Sequence, residues 1–515
     1  MIKKLKLAVL SSLLMVFAFP PFDLWLIAWF GMVPLFFAVY EETPSVVFKT
    51  GFVWGFVFFA GTVYWVVNSM VNYGGVSIYA SVLVLLLLVT VLSIYPAVFV
   101  YLASKLTGEN QKSSVKNLIV VPCIWVSIEY IRTHLFTGFP WVLLGYSQTR
   151  NLAILQVADI TGVYGISFLI VMFNFFIFLS TSHFLKNGGV RFKEGAAVFL
   201  IIAVVSGYGY IRINQIDELV KNWKKMNIGI VQGNIDQSVK WNPEYQEKTV
   251  EIYSELSMGM KDKGIELIVW PETATPFYLQ DDERLSHNVL TIAKTLSAKL
   301  ITGSPAYGYA KGGGAVNYYN SVFLISKGGN IIGRYDKVHL VPFGEYVPLK
   351  RFLPFEKLVA GVGDFSPGSD MKPLSLNNGA AGILICFEAI FPHAAREFLK
   401  NGADFLITVT NDAWFGKSSA PYQHLSQSLA RAVEGRVYLV RAANTGISAV
   451  VDPVGRIKTQ SGIFTRESLI GTISLKEKSF KTFYTRYGDV FAIGCMIISI
   501  VMFINIIRYF KKARL

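Results

Sequence analysis

The sequence predicts a polytopic α-helical membrane bundle of about eight spans joined to one α/β domain. Three observations predict it. Of 515 residues, 53% are hydrophobic and only 16% are charged, against roughly 25% charged residues in ordinary soluble domains. Apolar runs near the length of a bilayer core, about 20 residues in a helix, recur through residues 1–212 and again close to the C-terminus. Between them lies a polar block in which short β-branched runs alternate with helical stretches, the rhythm of a sheet-based α/β domain.

The candidate spans are 7–22, 24–40, 51–71, 77–104, 117–135, 162–185, 195–212 and 488–507. The opening KKLKLAVLSSLLMVFAF also resembles a secretory signal. VFAFPPF offers no small-x-small cleavage site, so it reads as a retained anchor. Orientation follows from Lys and Arg, which stay cytoplasmic in short loops. With the N-terminus inside, the cytoplasmic pieces hold Lys3, Lys4, Lys6, Lys49, Lys105, Lys112, Lys116, Lys186, Arg191, Lys193, Arg508, Lys511, Lys512 and Arg514. The opposite short loops hold only Arg132 and Arg150. The net charge of +14 is therefore largely topological, and a nucleic-acid partner loses its main support. Arg132 and Asp159, near span ends, read as interfacial snorkelling groups.

Seven spans precede residue 213. The expected organisation is a membrane domain with seven helices over 1–212, a large polar domain over 213–486 on the outer side, and a last spanning helix with a basic cytoplasmic tail over 487–515.

Within the polar block, MNIGIVQGNI, ELIVWPE, KLITGSPAYG, NSVFLIS, NIIGRYDKVHL, AAGILICFE, ADFLITVTND and ESLIGTISL read as strands. YLVRAANTGISAVVDPVGRI reads as a paired strand and turn. PEYQEKTVEIYSELSMGMKDKG, DERLSHNVLTIAKTLSAK, FPHAAREFLKNG and PYQHLSQSLARAVEGR read as helices. About 250 residues in this pattern make one domain with its own core. KGGG at 311–314 lacks the GK[ST] arrangement of a phosphate loop and reads as a flexible loop.

Functional groups in such domains collect beyond the strand ends. Three strand ends here carry reactive side chains: Glu272 in WPET, Lys337 in YDKVHLVPFGEYVP and Cys386 in ICFE. A thiol is mostly protonated at neutral pH and needs a base or a positive neighbour to attack. A carboxylate can take that proton, most readily if an apolar wall raises its own pKa. A lysine can hold the thiolate and then the oxyanion of a tetrahedral intermediate, with the Phe387 N–H as a second donor. Glu, Lys and Cys therefore suffice for acyl transfer without a metal or cofactor. Taken one by one, the same residues have plainer readings: Cys386 as a buried small hydrophobe, Glu272 as an ordinary strand-end carboxylate, Lys337 as a solvated lysine. The other two cysteines, Cys123 and Cys495, sit in apolar segments, so no disulfide framework is expected. His339, His393 and His424 form no recognised metal-ligand spacing.

WPE at 270–272, GRYDKVHLVPFGEYVP at 333–348, ICFE at 385–388 and TNDAWFG at 410–416 together resemble the nitrilase (carbon–nitrogen hydrolase) superfamily. With seven preceding spans and one following, the whole chain resembles its membrane-bound branch, the bacterial apolipoprotein N-acyltransferases. The resemblance implies a nitrilase-like αββα sandwich and a catalytic triad of Glu272 as base, Lys337 as oxyanion lysine and Cys386 as nucleophile. It marks Glu345 and Glu388 as supporting carboxylates, acting chemically or only holding Lys337. It matches Trp241 and Trp414 to positions that contact acyl chain or substrate, although either could be a core aromatic. Some members carry Tyr where this chain has Phe387, so here only a ring and a backbone amide are on offer.

The implied reaction is ping-pong N-acylation. A phospholipid donor of the phosphatidylethanolamine kind acylates Cys386, and the S-diacylglyceryl cysteine of an apolipoprotein accepts the chain. The implied location is the bacterial inner membrane, with the catalytic domain facing the periplasm and both termini cytoplasmic. An amidase using the same triad with water as acceptor is the rival reading. A non-catalytic lipid transporter is a second, poorly matched to intact WPE, DKVHL and CFE motifs.

Overall fold

The computed structural model describes residues 1–107, 116–189, 191–281, 283–309, 316–347 and 364–512. Lys112, the 311–314 loop, Pro348 and Arg514 lie outside them. The chain divides into two compact units. The first is Met1–Tyr64, Val82–Asn214 and Tyr487–Leu515; the second is Trp65–Ser81 with Gln215–Arg486.

The first unit is helical. Pro44–Val63, Ile78–Lys105, Val163–Asn187 and Phe192–Lys221 are each long and apolar enough to cross a membrane. Ile2–Phe17, Asn117–His134 and Val490–Lys512 cover three further expected spans. The expected span 24–40 is not one continuous helix. It is a 3₁₀ turn, Trp25–Trp29, followed by the seven-residue helix Val33–Val39 with proline in its first turn. Pro34 sits in that first turn, where its missing N–H is tolerated, and the helical path is broken before it, at Phe30, whose φ is −127°.

Asp159 and Arg132 do not snorkel. Asp159 is 1% exposed and accepts from Arg212 Nε at 2.8 Å and the Tyr208 hydroxyl at 2.7 Å. Arg132 is 5% exposed, its Nη1 donating to the carbonyls of Phe139 and Trp141. Buried charge inside an apolar unit persists only when it is paired or hydrogen-bonded.

Among its described residues the second unit has twelve strands: β1 Lys224–Gln232, β2 Leu267–Val269, β3 Lys299–Tyr309, β4 Val316–Ile325, β5 Ile331–Asp336, β6 Leu374–Ser375, β7 Ala380–Ile385, β8 Phe405–Thr410, β9 Leu439–Ala443, β10 Ala449–Val451, β11 Ile457–Gln460 and β12 Glu467–Leu475. They form two six-stranded sheets, ordered β12-β1-β2-β3-β4-β5 and β11-β10-β9-β8-β7-β6. Each sheet has a parallel core, β1-β2-β3 in one and β7-β8-β9 in the other, extended by antiparallel neighbours. Helices Pro243–Met258 and Arg284–Leu296 cover the first sheet. Their apolar faces meet Ile268, Leu300 and Phe323 in a buried cluster. Helices Pro392–Lys400 and Ala420–Gly435 pack against the second sheet. With β1 facing β9 across the sheets, the layers run helix, sheet, sheet, helix.

Two features place the end of β2. Trp270 is fully buried, stacks on Tyr253 with ring centroids 4.9 Å apart, and donates from Nε1 to Ser257 Oγ at 3.0 Å. On β3, a Cβ at Gly303 would meet Thr273 N at 2.4 Å and Glu272 Cα at 2.7 Å. Only glycine lets the two backbones approach this closely. Gly303→Ala should therefore displace the Glu272 backbone and destabilise the fold by about 1–3 kcal/mol. The readout is a lower thermal midpoint of the detergent-solubilised enzyme together with lost activity; a variant as stable and active as wild type would contradict the packing.

Candidate active site

The loops beyond the C-terminal ends of β2, β5, β7 and β8 bring the expected residues together. Glu272 follows β2, Lys337 follows β5, Cys386 follows β7, and Asn411 and Asp412 follow β8. Lys337 is 1% exposed. Its Nζ stands 2.9 Å from Glu345 Oε2, donates to Glu345 Oε1 at 3.0 Å, and lies 3.8 Å from Glu272 Oε1. Burial pulls this ammonium down, but Glu345 and Glu272 together hold it above its ordinary value.

Glu272, 6% exposed, is held on both oxygens. Oε1 accepts from Asn320 Nδ2 at 2.8 Å, and Oε2 from the Asn411 N–H at 2.9 Å. Asn411 is itself fixed through Nδ2 to Gln237 and through Oδ1, which accepts from Asn444. The buried ammonium of Lys240 donates to the Glu272 carbonyl at 3.3 Å, and burial lowers its pKa to about 8 against the pull of Glu272. Burial raises the Glu272 carboxyl above its ordinary value, Lys337 opposes this and Glu345 adds to it. A carboxyl raised in this way is suited to taking a proton near neutral pH.

Asn320, which the sequence reading missed, is the joint between the two carboxylates. From the middle of β4 its Nδ2 donates to Glu272 Oε1 and Glu345 Oε1, both at 2.8 Å. Its carbonyl accepts the Lys337 N–H at 2.9 Å. Nothing in YYNSVFL flags it, because an asparagine in a strand has no motif; only the register that pairs Ser321 with Asp336 puts it beside Lys337.

Cys386 is 7% exposed and has φ +50°, a left-handed conformation that costs a non-glycine residue on the order of 1–3 kcal/mol and clusters at functional sites. It ends β7 and begins the 3₁₀ turn Cys386–Ile390. Burial pushes its thiol well above the ordinary range, Glu272 adds to the shift and Lys337 opposes it. The resting sulfur is thus a thiol, which needs a base at the moment of attack.

Glu388 does not touch the lysine ammonium. It is fully buried. Oε1 accepts from the Tyr335 hydroxyl and the N–H groups of Val338 and His339, and Oε2 from the Ile385 N–H. It ties the backbone after Lys337 to the backbone before Cys386. Burial raises its pKa against the pull of those donors. Glu345 touches the ammonium directly and closes its own loop by accepting the Val341 N–H at 2.8 Å.

The aromatic positions are half-buried. The Phe387 ring stands edge-on to Phe391, centroids 5.2 Å apart. Trp414 lies on Tyr73 at 5.1 Å, and its carbonyl accepts from Asn68 Nδ2 and Ser69 Oγ, both at 2.8 Å. Phe415 packs on Trp65 at 4.7 Å. The segment Trp65–Ser81 thus braces the TNDAWFG turn within the second unit, a contact between residues some 350 positions apart that no local pattern announces. Trp241, half-buried, follows Lys240 directly in sequence.

Removing the Asn320 amide has a signed consequence. Its donation favours the ionised Glu272, so Asn320→Ala raises the base's pKa further. A higher pH is then needed to hold the carboxylate form, and the acidic limb of the activity's pH profile moves to higher pH, with a rate loss of about tenfold or more. An unmoved acidic limb would contradict this role.

Comparison with known proteins adds independent findings. Residues 11–176 match the family model described as apolipoprotein N-acyltransferase N-terminal domain, and residues 227–479 match the carbon-nitrogen hydrolase model. The chain is 44% identical over 494 residues to an apolipoprotein N-acyltransferase of Geobacter metallireducens, covering 95% of this chain and 92% of that one. It is 34% identical to that of Methylococcus capsulatus, over 96% of this chain and 94% of the relative. Among solved structures, Saccharomyces cerevisiae Nit3 of the nitrilase superfamily aligns at 19% identity and a TM-score of 0.38, over 49% of this chain and 90% of its own.

Proposed function

The chain belongs to the apolipoprotein N-acyltransferase family, and from that premise we propose how its own residues carry out lipoprotein N-acylation. The observation that carries the proposal is the buried cluster in which Glu272 and Glu345 share Asn320 and Lys337 beside the strained thiol of Cys386.

In the first half-reaction Cys386 Sγ attacks the carbonyl carbon of a phospholipid acyl ester while Glu272 takes the thiol proton. The oxyanion is met by the Lys337 ammonium and the Phe387 N–H. On collapse the ester C–O bond breaks, Glu272 returns the proton to the leaving lysophospholipid, and a thioester remains on Cys386. In the second, the free α-amino group of an S-diacylglyceryl cysteine attacks the thioester. Glu272 removes the amine proton and passes it to the departing Cys386 sulfur, leaving an amide. The donor is a phosphatidylethanolamine-like phospholipid, and donor and acceptor both carry acyl chains that the membrane presents. Trp241, Trp414 and the Phe387 ring supply apolar contact to those chains. Exclusion of water from so buried a site favours the amine over hydrolysis.

Asymmetry of Lys and Arg between the loops supports insertion in the inner membrane with both termini cytoplasmic and the catalytic unit periplasmic. A green fluorescent protein fused after Leu515 should fluoresce in cells, while an alkaline phosphatase fused there should be inactive. The reverse pair of results would overturn the orientation.

Incubation with phospholipid and no acceptor tests the chemistry. Intact-protein mass spectrometry should show one hydroxylamine-sensitive acyl adduct on Cys386, absent from Cys386→Ala and discharged on adding a diacylated lipopeptide. Steady release of free fatty acid with no adduct transfer would favour an amidase-like hydrolase instead.

A further inference from the structure

Behind the nucleophile lies a second buried cluster that the acyl-transfer mechanism does not use. His424, 1% exposed on helix Ala420–Gly435, faces Asp412 and Arg441, each fully buried. Its Nε2 donates to the Cys386 carbonyl at 3.0 Å. A carbonyl can only accept, so Nε2 carries the proton. Nδ1 stands 3.1 Å from both Asp412 Oδ1 and Arg441 Nη2. Arg441 Nη2 donates to Asp412 Oδ2 at 2.7 Å, Nη1 donates to Ser428 Oγ, and Nε donates to the Ile447 carbonyl. The Thr410 hydroxyl donates to Asp412 Oδ1 at 2.9 Å. Three elements, β8, β9 and the helix, therefore lock one imidazole against one backbone carbonyl.

The Cys386 carbonyl and the Phe387 N–H belong to the same peptide group. A trans peptide is planar, with C=O and N–H pointing in opposite directions. A donor fixed on the oxygen fixes the direction of the hydrogen, and a hydrogen bond accepted at C=O polarises the group and strengthens its N–H as a donor. The same bond restrains the left-handed backbone of Cys386, which nothing intrinsic to cysteine favours. As the second residue of its turn, Phe387 has no intrahelical acceptor for its N–H.

We propose that His424 is a positioning residue for the transition state: by donating to the Cys386 carbonyl, it aims the Phe387 N–H at the oxyanion formed when Cys386 is acylated and deacylated. The inference rests on the acyl-transfer reading of Cys386. Asp412 and Arg441 hold the imidazole in the required tautomer and orientation. Burial and Arg441 keep the ring's pKa below its ordinary value. Asp412, whose pKa burial raises but Arg441 and His424 bring down to about 2, stays ionised.

Two rates measured on one enzyme separate aiming from general support of the fold. Thioester formation from phospholipid passes through an oxyanion, whereas alkylation of Cys386 by iodoacetamide does not. His424→Ala should slow the first by about 10- to 100-fold, a misaimed oxyanion donor costing less than a deleted one, and leave the second near its wild-type rate. His424→Gln, which keeps a side-chain N–H, should recover part of the loss. If His424→Ala does not accumulate as folded protein, His424→Gln and Asp412→Asn are read by the same ratio. Equal losses in both rates, or no loss in either, would overturn the inference. A wild-type enzyme that forms no thioester yet N-acylates lipopeptide overturns the acyl-transfer reading and the inference with it.

Discussion

A lysine ammonium that is 1% exposed has to be neutralised where it stands, and the architecture of the site follows from that requirement. Removing one partner from a buried ion pair costs about 3–5 kcal/mol, so Lys337 cannot exist here without Glu345. Glu345 in turn is positioned by the Val341 amide and by Asn320. The second carboxylate, Glu272, stands farther from the ammonium, at 3.8 Å. Burial raises its proton affinity, and Lys337 at that distance offsets the rise only in part. Lys337 thus serves two ends with one charge: paired to Glu345 it is stable, and displaced from full contact with Glu272 it leaves a base with appetite for a proton. In the proposed reaction the oxyanion completes the balance, arriving when Glu272 has been neutralised by the thiol proton.

The proposed nucleophile obeys the same electrostatics from the other side. Cys386 sits in a strained turn whose backbone carries no charge of its own, and its thiol is destabilised as an anion by burial and by Glu272. Papain-like enzymes hold a thiolate beside an imidazolium; this site instead favours proton and sulfur together until substrate binds. Such a resting state suits an enzyme whose two substrates are both amphiphiles, because an uncharged sulfur loses less on desolvation when an acyl chain closes over it. Glu388 belongs to this economy only indirectly. Four hydrogen bonds to hydroxyl and backbone donors make it the bolt between the lysine loop and the cysteine turn.

Much of this was legible in the sequence, and the reasons are physical. Strands such as ELIVW and FLITVT declare themselves because β-branched residues bounded by turn formers have few alternatives. Glu272, Lys337 and Cys386 stand out because strand ends are where α/β domains place chemistry, and the structure puts each just beyond a strand. What was missed depends on pairing between distant segments. β12 closes the first sheet against β1 across more than two hundred residues. Asn320 acquires its role from strand register, and His424 from a helix laid behind the nucleophile. The bracing of Trp414 by Asn68 and Ser69 is likewise invisible until the fold exists. Arg132 and Asp159 were misread as interfacial because sequence shows position along a span but not which way a side chain faces. The run 24–40 reads as one helix because its apolarity is continuous, and apolarity does not report the break in helical backbone at Phe30.

The central claim is that Cys386 rests as a thiol and is activated by Glu272 during attack, and the most direct measurement is the pH dependence of its alkylation by iodoacetamide in the absence of substrate. The account predicts slow reaction at neutral pH and a rate still climbing beyond pH 9, the ordinary range for a free thiol being about 8.5. A rate that reaches its plateau at or below neutral pH would show a preformed thiolate, and would contradict the account.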